Sequence, residues 1–147
     1  MKEIKTLIDK NKLALSTLVV FTRAEHTIHR QELQTIRESG LTTAQFGVLE
    51  ALYNKGDLKI GELVEKILTT SGNITVVIKN LEKDGLIKRT RDPEDKRSTI
   101  ISITNKGIEV IEGILPNHIQ NIEKIFSVLT DEEKVTLKNI LKKFKEI

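Results

Sequence analysis

The chain has 147 residues, of which 38% are hydrophobic, 31% charged and only 3% aromatic. This is the size of one ordinary domain, and its core must be aliphatic. The absence of cysteine excludes a disulfide framework, Cys-ligated zinc and a direct thiol-oxidation switch. The net charge of +3, from 24 basic and 21 acidic residues, permits a nucleic-acid partner without requiring one.

Membrane and enzyme classes find little support in the sequence. The longest apolar run, Leu18–Phe21, is too short to cross a bilayer, and Met1–Lys12 lacks the apolar block of a signal peptide. Glycine-rich nucleotide loops and a nucleophile elbow are also missing, and the carboxylates are spread along helix faces. We therefore expect a cytoplasmic protein that has no cofactor, does not contact the membrane and is not an enzyme.

Helical periodicity dominates the first third of the chain. Apolar residues recur from Ile4 to Ile36 without a Pro or Gly before Gly40, which predicts one long helix, or two helices with a bend, ending there. The spacing of Thr42 and Gln45 then predicts a capping box, which begins a helix that ends at Lys55-Gly56.

Two short helices and a hairpin are predicted next. Apolar stripes indicate helices over Ile60–Leu68 and Ser71–Asp84, joined by a tight polar turn, and Gly85 ends the second. The period then changes, because Leu86–Arg91 and Ser98–Thr104 are β-prone runs. The polar turn between these runs predicts a β-hairpin with a charged tip.

The remainder is again helical. We expect Thr104 to cap a helix whose apolar stripe extends to Leu129, with a kink at Pro116, and Thr130 to begin a last helix in a second capping box. The apolar stripes over Ile4–Val19 and Ile119–Phe144 exceed what one small core can bury. They therefore predict association with a second chain.

A helix pair followed by a basic hairpin indicates a winged helix-turn-helix, so the fold class is mainly α with a small β-hairpin wing. The second helix of such a pair enters the major groove, where base edges carry a full donor and acceptor code. Its exposed face carries groups suited to this task, and the apolar Val76 suits a thymine methyl group. The candidate major-groove residues are Ser71, Asn73, Thr75, Val76, Lys79 and Asn80.

The hairpin supplies a second set of candidates. Arg97 at the tip suits the negative potential of a narrow minor groove, and Asp95 is placed to accept a hydrogen bond from it and to fix its rotamer. The candidate wing residues are Lys88, Arg89, Arg91, Asp95, Lys96 and Arg97. The alternatives are a solvated helix face, a hairpin with local ion pairs, and a winged helix that binds a protein instead of DNA. The basic hairpin favours DNA.

The segments LEKDGLI at 81–87 and DPEDKRS at 92–98 resemble the MarR (multiple antibiotic resistance regulator) family, and the similarity extends over the whole chain. The resemblance implies a homodimeric winged-helix transcription factor, usually a repressor, that binds pseudo-palindromic double-stranded DNA. It implies a single domain over 1–147, with a DNA-binding lobe at about 41–107 and dimerisation helices at 1–40 and 108–147. Many members carry Arg where Val76 stands, which suggests an A·T-rich half-site here.

The resemblance also implies a small aromatic or phenolic effector, bound between the dimerisation helices and the lobe. The candidate pocket residues are Phe21, Arg23, His26, His29, Phe46 and Tyr53. The alternative interpretation is that both Phe side chains are core and that the histidines are surface or capping residues. The spacing of His26 and His29, beside Glu25, could start a metal site, but His118 is the only other histidine. We therefore expect no metal site.

Overall fold

A computed structural model describes residues 2–67 and 71–146. The mainly α architecture with a small antiparallel sheet is confirmed in this part of the chain. The elements are α1 Lys2–Lys10, α2 Lys12–Glu38, α3 Thr43–Lys55, β1 Leu58–Lys59, α4 Ile60–Lys66, α5 Ser71–Lys83, β2 Ile87–Arg91, β3 Thr99–Ile103, α6 Asn105–Phe126, α7 Asp131–Lys142 and a 3₁₀ turn Lys143–Glu146.

Both predicted capping boxes are present. The backbone N–H of Gln45 donates to the Thr42 hydroxyl at 3.2 Å, and the Gln45 side chain accepts from the Thr42 N–H at 2.9 Å. Thr130 and Glu133 make the same reciprocal pair at 3.2 and 2.8 Å. Each box satisfies two backbone N–H groups that a helix start would leave unpaired, so local sequence fixes where α3 and α7 begin.

Residues 2–38 form two helices, which is the second of the two alternatives. The helices α1 and α2 are separated at Asn11, whose side-chain amide donates to the Leu7 carbonyl oxygen at 2.8 Å. Towards the other end of the chain, Pro116 lies inside α6, which ends at Phe126 rather than at Leu129. The kink at Pro116 stays a prediction.

The sheet has three strands in the order β1-β3-β2. The predicted hairpin pairs β2 with β3 in an antiparallel register from Ile87 opposite Ile103 to Arg91 opposite Thr99. The additional strand β1 pairs with the other edge of β3, with Lys59 opposite Ile100. Strand β1 could not be predicted from the sequence, because a strand of two residues has no detectable period.

The chain divides into two compact units: Met1–Leu33 with Lys124–Ile147, called here the end unit, and Gln34–Glu123, called the lobe unit. The predicted DNA-binding lobe at 41–107 falls wholly within the lobe unit. That unit also includes 34–40 and 108–123, which the sequence analysis assigned to the dimerisation helices. Ile36 and Ile111 are buried at 2% and 0% exposure, which explains why these helix segments belong to the lobe unit.

All the buried apolar side chains found among the described residues lie in the lobe unit. The predicted inner face of α5 is confirmed, since all four of its apolar side chains are at most 6% exposed. The core is aliphatic except for one ring. Its members are Ile36, Phe46, Val48, Leu49, Leu52, Leu58, Leu63, Ile74, Val77, Ile78, Leu81, Leu86, Ile87, Ile101 and Ile111.

The end unit exposes its apolar side chains. Leu13 and Val128 are 81% and 82% exposed, and most others in the unit are at least 45% exposed. The large apolar residues exposed there are Ile4, Leu7, Ile8, Leu13, Leu15, Leu18, Val19, Val20, Phe21, Val128, Val135, Ile140, Leu141 and Phe144. Within 2–67 and 71–146, no helix is both long enough and apolar enough to cross a membrane.

Candidate nucleic-acid interface

Helix α5 has one buried and one polar face. Val76 lies on the exposed face with 58% of its surface accessible, although its neighbour Val77 is only 6% exposed. The same exposed face carries Asn73, Thr75, Lys79 and Asn80. Ser71 begins α5, but its side chain lies outside the described residues, as does the predicted turn at 69–70. The face offers amide, hydroxyl, methyl and ammonium groups, which are the groups that read base edges and phosphates.

The end of α5 passes directly into the wing. The N–H of Leu86 donates to the Leu81 carbonyl oxygen at 2.9 Å, and the N–H of Gly85 donates to the Glu82 carbonyl oxygen at 3.0 Å. This pair of bonds is a Schellman motif, which requires a left-handed residue after the helix. Gly85 supplies it with a φ of +73°, so the glycine is needed for the turn.

The first turn of α6 holds this connection. The Thr104 hydroxyl donates to the Gly85 carbonyl oxygen at 2.6 Å and accepts from the Gly107 N–H at 3.1 Å. The Lys106 ammonium donates to the Asp84 carbonyl oxygen at 2.8 Å. We call these contacts the α5–wing–α6 junction. They join the end of the candidate reading helix, the start of the wing and the start of α6.

Gly107 lets these elements approach closely. A Cβ atom at this position would overlap the Leu86 carbonyl oxygen and would lie 2.7 Å from the Ile103 side chain. A side chain therefore cannot be added at residue 107 unless the backbone moves.

The wing exposes the predicted cations Lys88, Arg91, Lys96 and Arg97. Arg89 is half-exposed and differs from these four, because its guanidinium binds the Glu82 carboxylate on α5 through Nε and Nη2, both at 2.6 Å. From the sequence, Arg89 was predicted to be a DNA contact. In the structure this side chain joins the wing to α5, and its contact with DNA stays a prediction.

The tip of the wing is ordered by Asp95. Its carboxylate accepts from the backbone N–H of Arg97 at 3.0 Å, and its carbonyl oxygen accepts from the Ser98 N–H at 2.8 Å. The carboxylate bond is to the main chain of Arg97, whereas the expected bond was to its guanidinium. Asp95 fixes the backbone of the tip, and the orientation of the guanidinium stays a prediction.

Asp92, at the base of the wing, is a residue that the sequence analysis missed. Its side chain is 7% exposed, and it binds the Lys59 ammonium at 2.7 Å. The other carboxylate oxygen accepts from the Glu94 N–H at 2.9 Å. The hydrogen bond from Lys59 is the main reason that the pKa of Asp92 lies below its ordinary value, and the pKa of Lys59 is raised in return.

A weak signal for Asp92 was available, since Asp before Pro favours a turn in which the carboxylate bonds to the backbone two residues on. Its partner Lys59 could not be identified, because Lys59 lies on the unpredicted strand β1.

The candidate ligand residues are divided between the two units. Phe21, Arg23, His26 and His29 lie in the end unit, whereas Phe46 and Tyr53 lie in the lobe unit. Their grouping into one pocket stays a prediction. Phe21 is 50% exposed, and His29 is 3.4 Å from the Glu32 carboxylate.

In the lobe unit, Phe46 is buried and its ring centre lies 4.7 Å from that of His118. His118 is also buried and bonds to the Thr35 hydroxyl through Nδ1 at 2.9 Å. Tyr53 is 40% exposed and donates to Glu112 at 2.9 Å, which raises the pKa of the phenol. In the described part of the chain, no three His, Asp or Glu side chains cluster as a metal site would require.

Comparison with known proteins places these features among transcription factors. The model of the MarR family matches residues 41–99, which span α3 to the start of β3. The HTH-type transcriptional regulator MhqR of Bacillus subtilis is 38% identical over 130 residues, which cover 88% of this chain and 90% of MhqR.

Two solved structures share the fold. The first, from Bordetella bronchiseptica, concerns the regulation of DNA binding of BpsR by 6-hydroxynicotinic acid. It has a TM-score of 0.76 and 28% identity, and the match covers 88% of this chain and 98% of BpsR. The second is the organohalide-sensing regulator RdhR in its 2,4-dichlorophenol-bound form. It has a TM-score of 0.75 and 26% identity, with 91% of this chain and 80% of RdhR covered.

Proposed function

We propose that this chain, which belongs to the MarR family of transcriptional regulators, is a homodimeric repressor that binds a pseudo-palindromic operator and is released by a small aromatic or phenolic molecule. The family is a class of DNA-binding regulators and not of enzymes. The exposed face of α5 is the observation that carries the proposal. Operator DNA lies in the cytoplasm, so the repressor acts there.

Base reading is assigned to α5. The amides of Asn73 and Asn80 suit adenine, the Lys79 ammonium suits guanine or phosphate, and the methyl groups of Val76 suit thymine. The hydroxyl groups of Thr75 and Ser71 are the remaining candidate contacts in the major groove. Because Val76 cannot donate to guanine, the half-site is expected to be A·T-rich at the base pair it faces.

The wing adds a minor-groove contact. Arg97 is exposed at the tip, and the Asp95 carboxylate orders the backbone beneath it. An arginine side chain is attracted to the enhanced negative potential of a narrow, A·T-rich minor groove. Lys88, Arg91 and Lys96 are exposed cations for nearby phosphates, and Arg89 supports the wing through Glu82.

Dimerisation would cover the apolar surface of the end unit. Exposed apolar residues recur there along α1, α2 and α7, and extensive exposed apolar surface favours association. A two-fold dimer would present two copies of α5 to half-sites about one helical turn, roughly 34 Å, apart. The operator would then be pseudo-palindromic.

The effector is proposed to act on the spacing between the two α5 helices. A ligand shifts an equilibrium only when it binds one state better than the other, so it must prefer a dimer whose α5 helices do not match the half-sites. The candidate effector-binding residues are Phe21, Arg23, His26 and His29 in the end unit, and Phe46 and Tyr53 in the lobe unit. Aromatic and cationic side chains of this kind suit the phenolic or hydroxyaromatic compounds named for RdhR and BpsR.

The proposal is tested by fluorescence anisotropy with duplex DNA from the protein's own promoter, a scrambled duplex and several salt concentrations. We expect tight binding that prefers the promoter and weakens steeply with salt. Arg97→Ala should weaken operator binding by about 1–3 kcal/mol, whereas Lys55→Ala, at an exposed lysine outside α5 and the wing, should not.

Equally weak binding to both duplexes would contradict the proposal and favour a winged helix that binds a protein partner. Added phenols should release the promoter duplex from the wild-type protein. Unchanged binding across the whole series of phenols would remove the effector class from the proposal.

A further inference from the structure

Lys59 and Asp92 connect the two outer strands of the sheet. In the order β1-β3-β2, β1 and β2 are not hydrogen-bonded to each other. Lys59 on β1 and Thr90 on β2 both lie opposite Ile100, on either side of β3. Asp92 follows β2 directly, so its 2.7 Å ion pair with Lys59 crosses the face of β3 and joins both edges.

Asp92 also begins the series of bonds that shapes the wing tip. Its backbone N–H donates to the Ser98 carbonyl oxygen at 3.0 Å, which closes the loop. Its carboxylate accepts from the Glu94 N–H at 2.9 Å. The Asp95 carboxylate then accepts from the Arg97 N–H at 3.0 Å. The path from Lys59 to Arg97 therefore consists of short, directional contacts.

The Lys59 contact matters because Asp92 is nearly buried. A carboxylate with 7% exposure has lost most of its hydration, and it stays charged only with partners that replace the lost water. Lys59 supplies the cation, and its hydrogen bond is the main reason that the pKa of Asp92 is lowered. Without Lys59 the carboxylate would be drawn toward solvent, and the bonds that start from it would be disturbed.

We infer that Lys59 is a positioning residue for DNA reading, which acts through Asp92 to fix the direction from which Arg97 enters the minor groove. This inference rests on the proposed function, since it takes Arg97 as a DNA contact. The competing explanation is that the Lys59 ammonium, on a side chain that is 49% exposed, binds a phosphate directly.

The first experiment is a double-mutant cycle on promoter binding with full-length Lys59→Met, Arg97→Ala and the double variant. Lys59→Met should weaken binding about fivefold in the wild-type background and by less than about twofold in the Arg97→Ala background. Lys59→Arg should restore binding, because a guanidinium can keep the ion pair. Lys55→Met is the matched control and should bind like the wild type. If Lys59→Met weakens promoter binding by the same factor in both backgrounds, the inference is overturned.

A second variant separates positioning from charge. Asp92→Asn removes a negative charge close to the proposed DNA surface, so electrostatics alone would tighten binding. Positioning predicts weaker binding, by about fivefold, that again disappears in the Arg97→Ala background. Tighter binding by Asp92→Asn would overturn the inference. Circular dichroism and thermal unfolding establish that each variant is folded, and if Asp92→Asn does not fold, the comparison of Lys59→Met with Lys59→Arg decides the question.

The salt dependence distinguishes the remaining outcomes. If Lys59 binds a phosphate, Lys59→Met should lower the slope of log affinity against log salt by about 0.9, even in the Arg97→Ala background. This result would overturn the positioning role of Lys59 but not the proposed function. If Arg97→Ala does not change promoter binding, the minor-groove contact in the proposed function is contradicted. The inference about Lys59 is then overturned as well. If Arg97→Ala weakens promoter binding and the effect of Lys59→Met is the same with or without Arg97, the inference is overturned and the proposed function stands.

Discussion

The lobe unit and the end unit contain helices that begin in the same way but differ in how many of their side chains are buried. Helix α3 in the lobe unit and α7 in the end unit both start with a capping box. In α3 four side chains are buried, including Leu49 at 0% exposure, whereas in α7 none is buried. Local signals therefore specify both helices equally well. The difference is that the chain itself covers the apolar side chains of α3 but leaves those of α7 exposed.

This comparison indicates that the lobe unit is stabilised by its own core, whereas the exposed apolar side chains of the end unit would be covered only in the proposed dimer. Packing of an apolar face, rather than helix propensity, supplies most of the stability of helices in proteins.

The first prediction concerns the lobe core. Leu49→Ala should lower the free energy of unfolding by about 2–5 kcal/mol, because the side chain is fully buried and its loss leaves a cavity. Val76→Ala, at an exposed position of the same unit, should change it by less than about 0.5 kcal/mol. Urea unfolding measures both. Equal losses would mean that the lobe core is not where the stability lies.

The second prediction concerns the α5–wing–α6 junction. Gly107→Ala should destabilise the lobe unit by about 1–3 kcal/mol, because the new methyl group overlaps the Leu86 carbonyl oxygen. Gly113→Ala, in the same helix with no atom within 4 Å of the added Cβ, should stabilise it by up to about 1 kcal/mol. Thermal unfolding compares the two. A stabilising Gly107→Ala would show that the junction is loose.

The third prediction concerns the end unit. Ile140→Ser, at a 48% exposed position of α7, should raise the dimer dissociation constant about tenfold, since apolar area is lost from the proposed interface. Lys138→Ser, on the same helix, is the control and should leave the constant unchanged. Sedimentation at several protein concentrations measures both. A dimer unaffected by Ile140→Ser would exclude this part of α7 from the interface.

The smallest expected effect is a dependence on pH. The pKa of Asp92 is lowered from its ordinary value of 3.8, first by the hydrogen bond from Lys59, so its contribution is present above that value and is lost as the pH falls through the folded-state pKa. Asp92→Asn should therefore flatten the acid side of the curve of melting temperature against pH. Asp57→Asn makes the same charge change at an exposed site and should not. A wild-type curve for Asp92→Asn would mean that its ion pair contributes nothing.

The same pH series compares the two units. The pKa of Glu132, at the start of α7, is lowered by a hydrogen bond from its own backbone N–H and then by the Thr130 hydroxyl. Its contribution also disappears as the pH falls. Because this carboxylate is exposed, Glu132→Gln should have a smaller effect than Asp92→Asn.

Much of the fold could be predicted from the sequence because its signals are local. Capping boxes at Thr42 and Thr130, the change of period after Gly85 and the apolar face of α5 each depend on residues a few positions apart. These signals fix the order of the elements and most of their ends. They also identify the exposed face of α5, since the residues opposite its apolar face are mostly polar.

The unpredicted features depend on residues that are distant in sequence. Strand β1 has two residues and exists through its pairing with β3, so no local pattern marks it. The ion pairs of Lys59 with Asp92 and of Arg89 with Glu82 require the positions of separate elements. The boundary between the two units falls inside α2 and α6, where the helical pattern continues without a break. A sequence pattern cannot mark a boundary that tertiary contacts create.

The α5–wing–α6 junction has a consequence for the operators that such a protein can use. Thr104 bonds to Gly85 and Gly107 at once, so the end of α5, the first strand of the wing and the start of α6 share one anchor. These contacts hold the base of the wing against the end of α5. In the proposed complex, an inserted base pair would move one of the two contacted sites by about 3.4 Å along the DNA. A duplex with one base pair inserted between the two contacts of a half-site should engage α5 or the wing, but not both.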